Sequence, residues 1–294
     1  MQVTGTMQRT PTGTDRQRAA LRRTGENVLW YIVLSLVAVV TAFPFVWVFF
    51  TSFKGPSDVI YSVPPQLIPN EPTLANYSRV WNQLPVWRFF VNSILVAVTV
   101  VILNLLFCSL TAYPLAKMKF RGRDAIFYLL LATFVVPPQL VSIPSYVLAV
   151  NFFHYYDTIL ALIFPNLATA FNIFLLRQAF KGVPDDLIDA GRMDGASELR
   201  IWWDILLPVI GPSLATVAII VFVNMWNDFY WPSLVLPTMA NKTLQVGLVA
   251  LQGRFANDPR GVAAGVVMTV VPMIVLFVTL QRQFVRGLTG AVKG

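Results

Sequence analysis

The side chains in this chain with the most chemical character are neutral amides and hydroxyls set at helical spacing inside apolar runs. Asn166, Thr169 and Asn172 recur every three residues, and Asn224, Asn227 and Asp228 cluster beside Trp226, Tyr230 and Trp231. Positions three or four apart share a helix face, so each set would present hydrogen-bonding groups next to aromatic rings. That combination suits a polyhydroxylated solute, whose hydroxyls need partners and whose ring faces stack on aromatics. The same residues would also serve as contacts between packed helices and as an interfacial aromatic belt. Gln139 lies among Pro137, Pro138 and Pro144 in another apolar run, where proline must break or kink the helix and free backbone groups.

Catalytic sets are harder to find. The single histidine, His154, sits near the end of an apolar run, and the acidic residues concentrate in one polar loop. An enzyme site would need paired carboxylates or a histidine with an acidic partner, and an ion-coupled carrier would place a carboxylate or histidine near mid-membrane. One cysteine, Cys108, in an apolar setting cannot build a disulfide framework or a thiolate metal cluster. No metal site and no catalytic residue is expected. The chain contains no Gly-Lys dipeptide, so it has no phosphate-cradling G-x-x-x-x-G-K-[ST] loop, and any nucleotide must bind on another chain.

The elements that must carry these side chains are membrane spans. Of the 294 residues 56% are hydrophobic and 12% charged, against about 25% charged in soluble domains. Six windows free of Asp, Glu, Lys and Arg are long enough to cross a bilayer core: Asn27 to Phe53, Phe89 to Ala116, Ala125 to Tyr156, Thr158 to Leu176, Ile205 to Asn227 and Gly261 to Gln281. With six spans both termini share a side. Sixteen Lys and Arg fall on the side of the termini and six on the other, so the positive-inside rule places both termini in the cytoplasm. The membrane accounts for the net charge of +8 better than nucleic acid does. The first span is too long for a signal-peptide apolar region and lacks a small-residue cleavage pattern, so it reads as retained. The division expected is a cytoplasmic N-terminal tail at 1–26, a membrane domain at 27–285 with a cytoplasmic loop at 180–212, and a cytoplasmic tail at 286–294. The outer segment from Thr51 to Arg88 carries six prolines, which favour extended or turn structure.

The loop between spans four and five is the most structured polar segment. Pro184 suits a first helical turn, with Asp185 and Asp186 where the helix dipole favours negative charge. Gly195 can end that helix in a left-handed conformation. Ser197 can cap a second helix, whose Leu199, Trp202, Trp203 and Leu206 form an apolar face. The expected shape is a two-helix knob joined directly to two spans.

Its pattern of acidic-Ala-small, three residues, Gly, nine residues and Ile-x-Leu-Pro resembles the Glu-Ala-Ala loop of ATP-binding-cassette (ABC) importer permeases. The matching residues are Asp189, Ala190 and Gly191, then Asp194 and Gly195, then Ile205, Leu207 and Pro208. Asp189 is a methylene shorter than the usual Glu. Gly191 stands for the second Ala, which costs a helix interior roughly 0.5 to 1 kcal/mol. The run from Asn224 to Pro232, the later Thr243 to Gly247 and the ending Arg286 to Gly294 are similar to carbohydrate-uptake permeases of the maltose-importer type.

The resemblance implies an all-α integral membrane protein with six transmembrane helices and the type I ABC importer permease fold. It implies a heterodimer with a second permease subunit, an ABC ATPase dimer and an extracytoplasmic solute-binding protein, all acting at a lipid bilayer. It also implies ATP-driven alternating access for a di- or oligosaccharide, with a monosaccharide or glycerol-3-phosphate as the alternative. No cofactor is expected on this chain; ATP and Mg belong to the ATPase. The residue roles it implies are ATPase docking for the loop residues just named and a solute path through Gln139, Asn166, Asn172, Asn224, Asn227, Asp228 and Tyr230. They extend to an outer loop with Arg254, Asn257 and Asp258 facing the binding protein, and to a tail whose Thr289 and Lys293 reach the ATPase. The tail, rich in glycine, is expected to be irregular unless a partner orders it.

Overall fold

The computed structural model describes residues 13–62, 66–255 and 257–292. Among these residues the fold is all helical, with no strand. Two helices are long and apolar enough to cross a bilayer unaided: α1 (Gly13–Ser52), over its Asn27–Ser52 portion, and α3 (Val86–Lys117). The short α2 (Ala75–Gln83) lies between them.

The next three apolar segments are broken helices. α4 (Arg123–Phe134) meets α5 (Pro138–Val147), which continues as a π-wound turn to Phe152, at 96°. Pro137 and Pro138 sit at the break, because a proline ring clashes with the preceding turn and lacks the N–H that would continue the ladder. α6 (Leu160–Ile163), with its 3₁₀ continuation Phe164–Asn166, meets α7 (Ala170–Lys181) at 45°. After α8 (Asp185–Met193), α9 (Glu198–Arg200) runs through a π-wound stretch, Ile201–Leu206, into α10 (Leu207–Val209). This arm turns by 83° into α11 (Gly211–Asn227). The fifth apolar window therefore divides at Ile210. Residues 205–209 belong to the arm, and the straight helix is about 26 Å long. α12 (Tyr230–Val235), α13 (Leu244–Arg254) and α14 (Pro259–Val292) complete the chain.

The main core lies where α3 packs on α7 and α11, around Val100, Cys108, Ala112, Leu176, Phe180 and Val217. Small buried residues on α3, namely Ala97, Cys108, Ser109 and Ala112, let neighbouring helices approach closely, which is how helices associate where lipid removes the hydrophobic incentive. A second cluster joins α2, α3, α13 and α14 through Val80, Phe89, Leu251 and Ala264. α1 packs on α14 and otherwise presents exposed apolar residues such as Leu29, Ile32, Leu36 and Val40, as expected of a lipid-facing helix.

The described residues of the proline-rich segment after α1 are folded around two buried ions. Lys54, fully buried, donates from Nζ to the carbonyls of Val59 (3.0 Å) and Gln66 (2.6 Å). Asp58 accepts from the Gly55 and Asn70 N–H groups, both at 2.9 Å. The Asn70 N–H does most to hold the Asp58 carboxyl below the usual carboxylate range. The side-chain amide of Asn76 donates to the carbonyls of Ser52 (2.9 Å) and Lys54 (3.0 Å), and Arg260 donates to that of Asp58 (2.7 Å). The backbone groups that prolines leave without a regular ladder are thus taken up by side chains.

The N-terminal segment is helical from Gly13 onward, continuous with the apolar part of α1. One expectation about the ends is revised: α14 carries its helix through Thr289 to Val292, where an irregular tail was expected. Continuing an existing helix adds a bond per residue with no new nucleus, and this outweighs the cost of Gly287 and Gly290. Lys293 lies outside the described residues.

Candidate functional site

The breaks in the third and fourth apolar segments leave room beside α3 and α11 for a cavity of about 810 Å³, within the usual size range of small-molecule sites. Asn104, Asn166, Asn172 and Asn224 supply its amides, Thr133 and Thr169 its hydroxyls, and Phe134 and Phe171 its rings; among the described residues its lining carries no charged side chain. The two rings stack across α4 and α7 with centroids 5.7 Å apart and planes 20° off parallel.

Asn104 organises the polar wall. Its Nδ2 donates to the Asn166 carbonyl (2.8 Å), and its Oδ1 accepts from Asn172 Nδ2 (2.8 Å) and from Cys108 (3.4 Å). Asn166 donates in turn to the Leu162 carbonyl at 2.9 Å. Asn104 and Asn172 are buried while Asn224 is exposed to the cavity.

Three of the seven residues expected along a path thus meet in one place. The other four do not line it. Gln139 is exposed next to Pro138, which does. Asn227 returns its amide to the Val223 carbonyl (2.9 Å), and Tyr230 shares a hydrogen bond with the Ser142 hydroxyl (3.0 Å), joining α12 to α5. Asp228 sits in the break between α11 and α12. The aromatics beside them pack instead of lining the cavity. Trp226 is buried against Phe90 and Phe222, and Trp231 Nε1 donates to the Ala161 carbonyl (2.8 Å).

The second feature is the arm between α7 and α11. Gly195 has φ +78°, and its N–H donates to the Arg192 carbonyl (3.0 Å) while the Ala196 N–H reaches the Gly191 carbonyl (3.0 Å). These bonds close α8 and turn the chain into α9, where the Ser197 hydroxyl accepts from the Arg200 N–H. Gly191 is buried against the second helix. A Cβ there would lie 2.9 Å from Ile205 Cδ1 and 3.2 Å from Ile201 Cγ1, so the glycine that weakens the helix permits the packing of its partner.

The apolar face differs from the one expected. Ile201, Trp202 and Leu206 are buried, whereas Leu199 and Trp203 are exposed. The π-wound stretch explains the change. With bonds from i to i+5 the turn is wider than 3.6 residues, so 201 and 206 share a face and 199 and 203 rotate outward. The exposed side chains of the arm include the apolar Leu187, Met193, Leu199 and Trp203 as well as Asp189, Ala190, Asp194 and Pro208.

Its electrostatics are local. Arg192 donates to Asp189 (3.1 Å) and to Glu198 (2.8 Å), and the Tyr113 hydroxyl donates to the other oxygen of Glu198. Arg192 first, then Tyr113, holds the Glu198 carboxyl below the usual carboxylate range. Lys117 does the same for Asp185. Because both values are depressed, these links persist through neutral pH and are lost only as pH falls through the lowered carboxylate values.

On the opposite face, α13 extends to Arg254, so the outer loop expected at Gln252 to Gly261 is a short turn. Buried Phe255 packs on Gly261. Asp258 is paired with Arg79 and accepts from the Arg260 N–H (3.2 Å), while Gln252, Arg254 and Asn257 are exposed. Arg79→Ala and Asp258→Ala should each lower thermal stability by about 1 kcal/mol, as expected of a part-exposed pair, and the double variant by little more. Additive losses in the same melting experiment would show that the pair contributes nothing as a pair.

Residues 105–290 match the family model for the binding-protein-dependent transport system inner membrane component. The chain is 34% identical over 278 residues to the arabinooligosaccharides transport system permease protein AraQ of Halalkalibacterium halodurans, covering 93% of this chain and 99% of that protein. It is 31% identical to the lactose transport system permease protein LacG of Rhizobium radiobacter, over 93% of this chain and 98% of that one. It is 29% identical to the sn-glycerol-3-phosphate transport system permease protein UgpE of Escherichia coli O157:H7, over 91% and 99%. A chain from the crystal structure of a bacterial ABC transporter involved in the import of the acidic polysaccharide alginate superposes with a TM-score of 0.78 at 24% identity, covering 93% of this chain and 98% of that one, and so shares its fold. The family match runs from α3 to α14, through most of the cavity wall and the whole arm, and the chain belongs to the binding-protein-dependent transport system inner membrane components, the permeases of ABC importers.

Proposed function

We propose that this permease forms half of the path for a neutral di- or oligosaccharide and crosses the membrane six times with both termini in the cytoplasm. The broken pairs α4–α5 and α6–α7 each count as one span, and the arm α8–α10 lies on the cytoplasmic side. A second permease subunit completes the path. A solute-binding protein delivers the sugar on the outer face, where Arg254 and Asn257 stand exposed. An ATPase dimer, which carries ATP and Mg, receives the arm at Asp189, Ala190, Asp194 and its exposed apolar residues. Closure of the ATPase dimer moves the arm and turns the cavity outward, and hydrolysis returns it. The C-terminal segment from Arg286 reaches the same ATPase.

The observation that carries the choice of solute is the cavity lining: amides, two hydroxyls and two stacked rings, with no charge among the described residues. Hydroxyl-rich sugars find donors and acceptors there, whereas a phosphate ester would need a cation. The test uses the binding protein that co-purifies with the importer. Its thermal stability should rise with arabino-oligosaccharides or lactose and stay unchanged with glycerol-3-phosphate, and uptake of the stabilising sugar should require this chain. Stabilisation by glycerol-3-phosphate alone overturns the proposal.

A further inference from the structure

α3 grips both helices of the arm although it is far from either in the chain. Tyr113 and Lys117 lie one turn apart on its last stretch and share a face. Lys117 Nζ donates to the Val183 carbonyl and to Asp185 Oδ1, both at 2.5 Å, at the start of α8. Tyr113 donates to Glu198 at the start of α9. Each helix of the arm is therefore held at its first residue. The Tyr113 side chain is buried, with its ring 5.9 Å from that of Phe180 on α7, and the Lys117 side chain is 8% exposed. On the α3 side these contacts are anchored inside the bundle, whereas their acceptors on the arm face outward, Asp185 exposed and Glu198 half-exposed.

The same helix reaches the cavity. Asn104 lies nine residues before Tyr113, about 13 Å along the axis, and holds Asn166 and Asn172. α3 is continuous from Val86 to Lys117, Pro114 included. Between Asn104 and Tyr113 its buried Cys108 and Ala112 belong to the main core. A displacement of the arm thus has a direct mechanical route to the polar wall, apart from the covalent route through α7 and α11.

We propose that α3 transmits the movement of the arm to the cavity, with Tyr113 and Glu198 as the positioning residues that make the connection. The inference rests on the reading of the arm as the ATPase dock. Arg192 belongs to the connection, because it holds Glu198 against Asp189 on the docking face.

The test needs no identified solute. The whole importer is reconstituted with Cys108→Ala and Thr133→Cys in this chain, so that a membrane-impermeant maleimide reports access to the cavity with and without ATP plus vanadate. Tyr113→Phe keeps the ring and removes the hydroxyl; Glu198→Gln keeps the shape and removes the charge. Each should reduce the ATP-dependent change in labelling roughly tenfold, the size typical of allosteric coupling, while the ATPase subunits still co-purify. An ATP response equal to that of the parent in both variants, even with a lowered melting temperature, overturns the proposal and leaves these contacts structural. Gly195→Pro separates the two levels. If it abolishes the response while Tyr113→Phe does not, only the route through α3 falls; if it too responds normally, the docking role of the arm falls with it.

Discussion

Gly195→Pro should abolish sugar uptake while the permease still inserts in the membrane in normal amounts. Gly195 holds φ +78°, a region that proline cannot enter because its ring fixes φ near −65°. Its N–H also donates to the Arg192 carbonyl, and proline has no N–H to give. The two faults together cost at least about 3 kcal/mol at the turn, and the chain relieves them by unwinding the end of α8. That separates Gly191 from Ile201 and Ile205 and scatters the exposed face around Asp189. Gly195→Ala keeps the N–H and meets only the left-handed penalty, about 1 to 2 kcal/mol, so it should retain part of the uptake. The spans do not depend on the turn, so membrane insertion is the control. Co-purification of the ATPase and uptake of radiolabelled oligosaccharide are the readouts, and normal values for the proline variant would remove the arm from the coupling route. Deletion of 189–195 should give the same loss.

The arm was the most legible part of the chain because its signals are local. A left-handed glycine, a serine cap and prolines at each end act within a few residues, and the structure places the turn at Gly195 and the second helix after Ser197. What local signals missed was the winding in between. A π-wound stretch leaves no composition mark, so a 3.6-residue period put Leu199 and Trp203 on the wrong face. The cavity shows the opposite limitation. Asn166, Asn172 and Asn224 stand out as polar residues grouped at helical spacing in apolar runs, whereas Asn104 is a lone amide in mid-span with no such grouping. Its partners lie on α6 and α7, a relation set by packing and absent from the spacing. Thr133, Phe134 and Phe171 enter the site only because the helices break at Pro137 and near Leu167, and breaks at such angles cannot be read from residue type. Asp258, expected to face the binding protein, is paired with Arg79, and a partner 179 residues away leaves no mark in the local sequence.

Asn104→Leu should cripple uptake more severely than loss of any single exposed cavity residue, Asn224 included. Leucine keeps the branched shape of asparagine, but its methyl groups are bulkier than the amide and cannot sit at the 2.8 Å of the two hydrogen bonds, so the change removes those bonds and adds strain between α3 and α7. Three groups then lose partners in a buried setting: the Asn166 carbonyl, the Asn172 amide and the Cys108 thiol. A buried polar group without a partner costs about 1 to 3 kcal/mol, and polar contacts between membrane helices fall toward the low end of such values. A total near 2 kcal/mol is therefore expected, which corresponds to roughly 30-fold in the population of the transport-competent arrangement. The Asn172 amide will seek another acceptor by turning into the cavity, where it narrows the path. Asn224→Ala, by contrast, removes one exposed amide and leaves no buried group unpaired, so uptake should fall only a few-fold. Initial uptake rates at equal membrane content distinguish the two variants, and a melting curve of the purified importer should show the drop for Asn104→Leu alone. If Asn104→Leu transports as well as Asn224→Ala with an unchanged melting temperature, the amide cluster does not shape the path, and its bonds are ordinary contacts between packed helices.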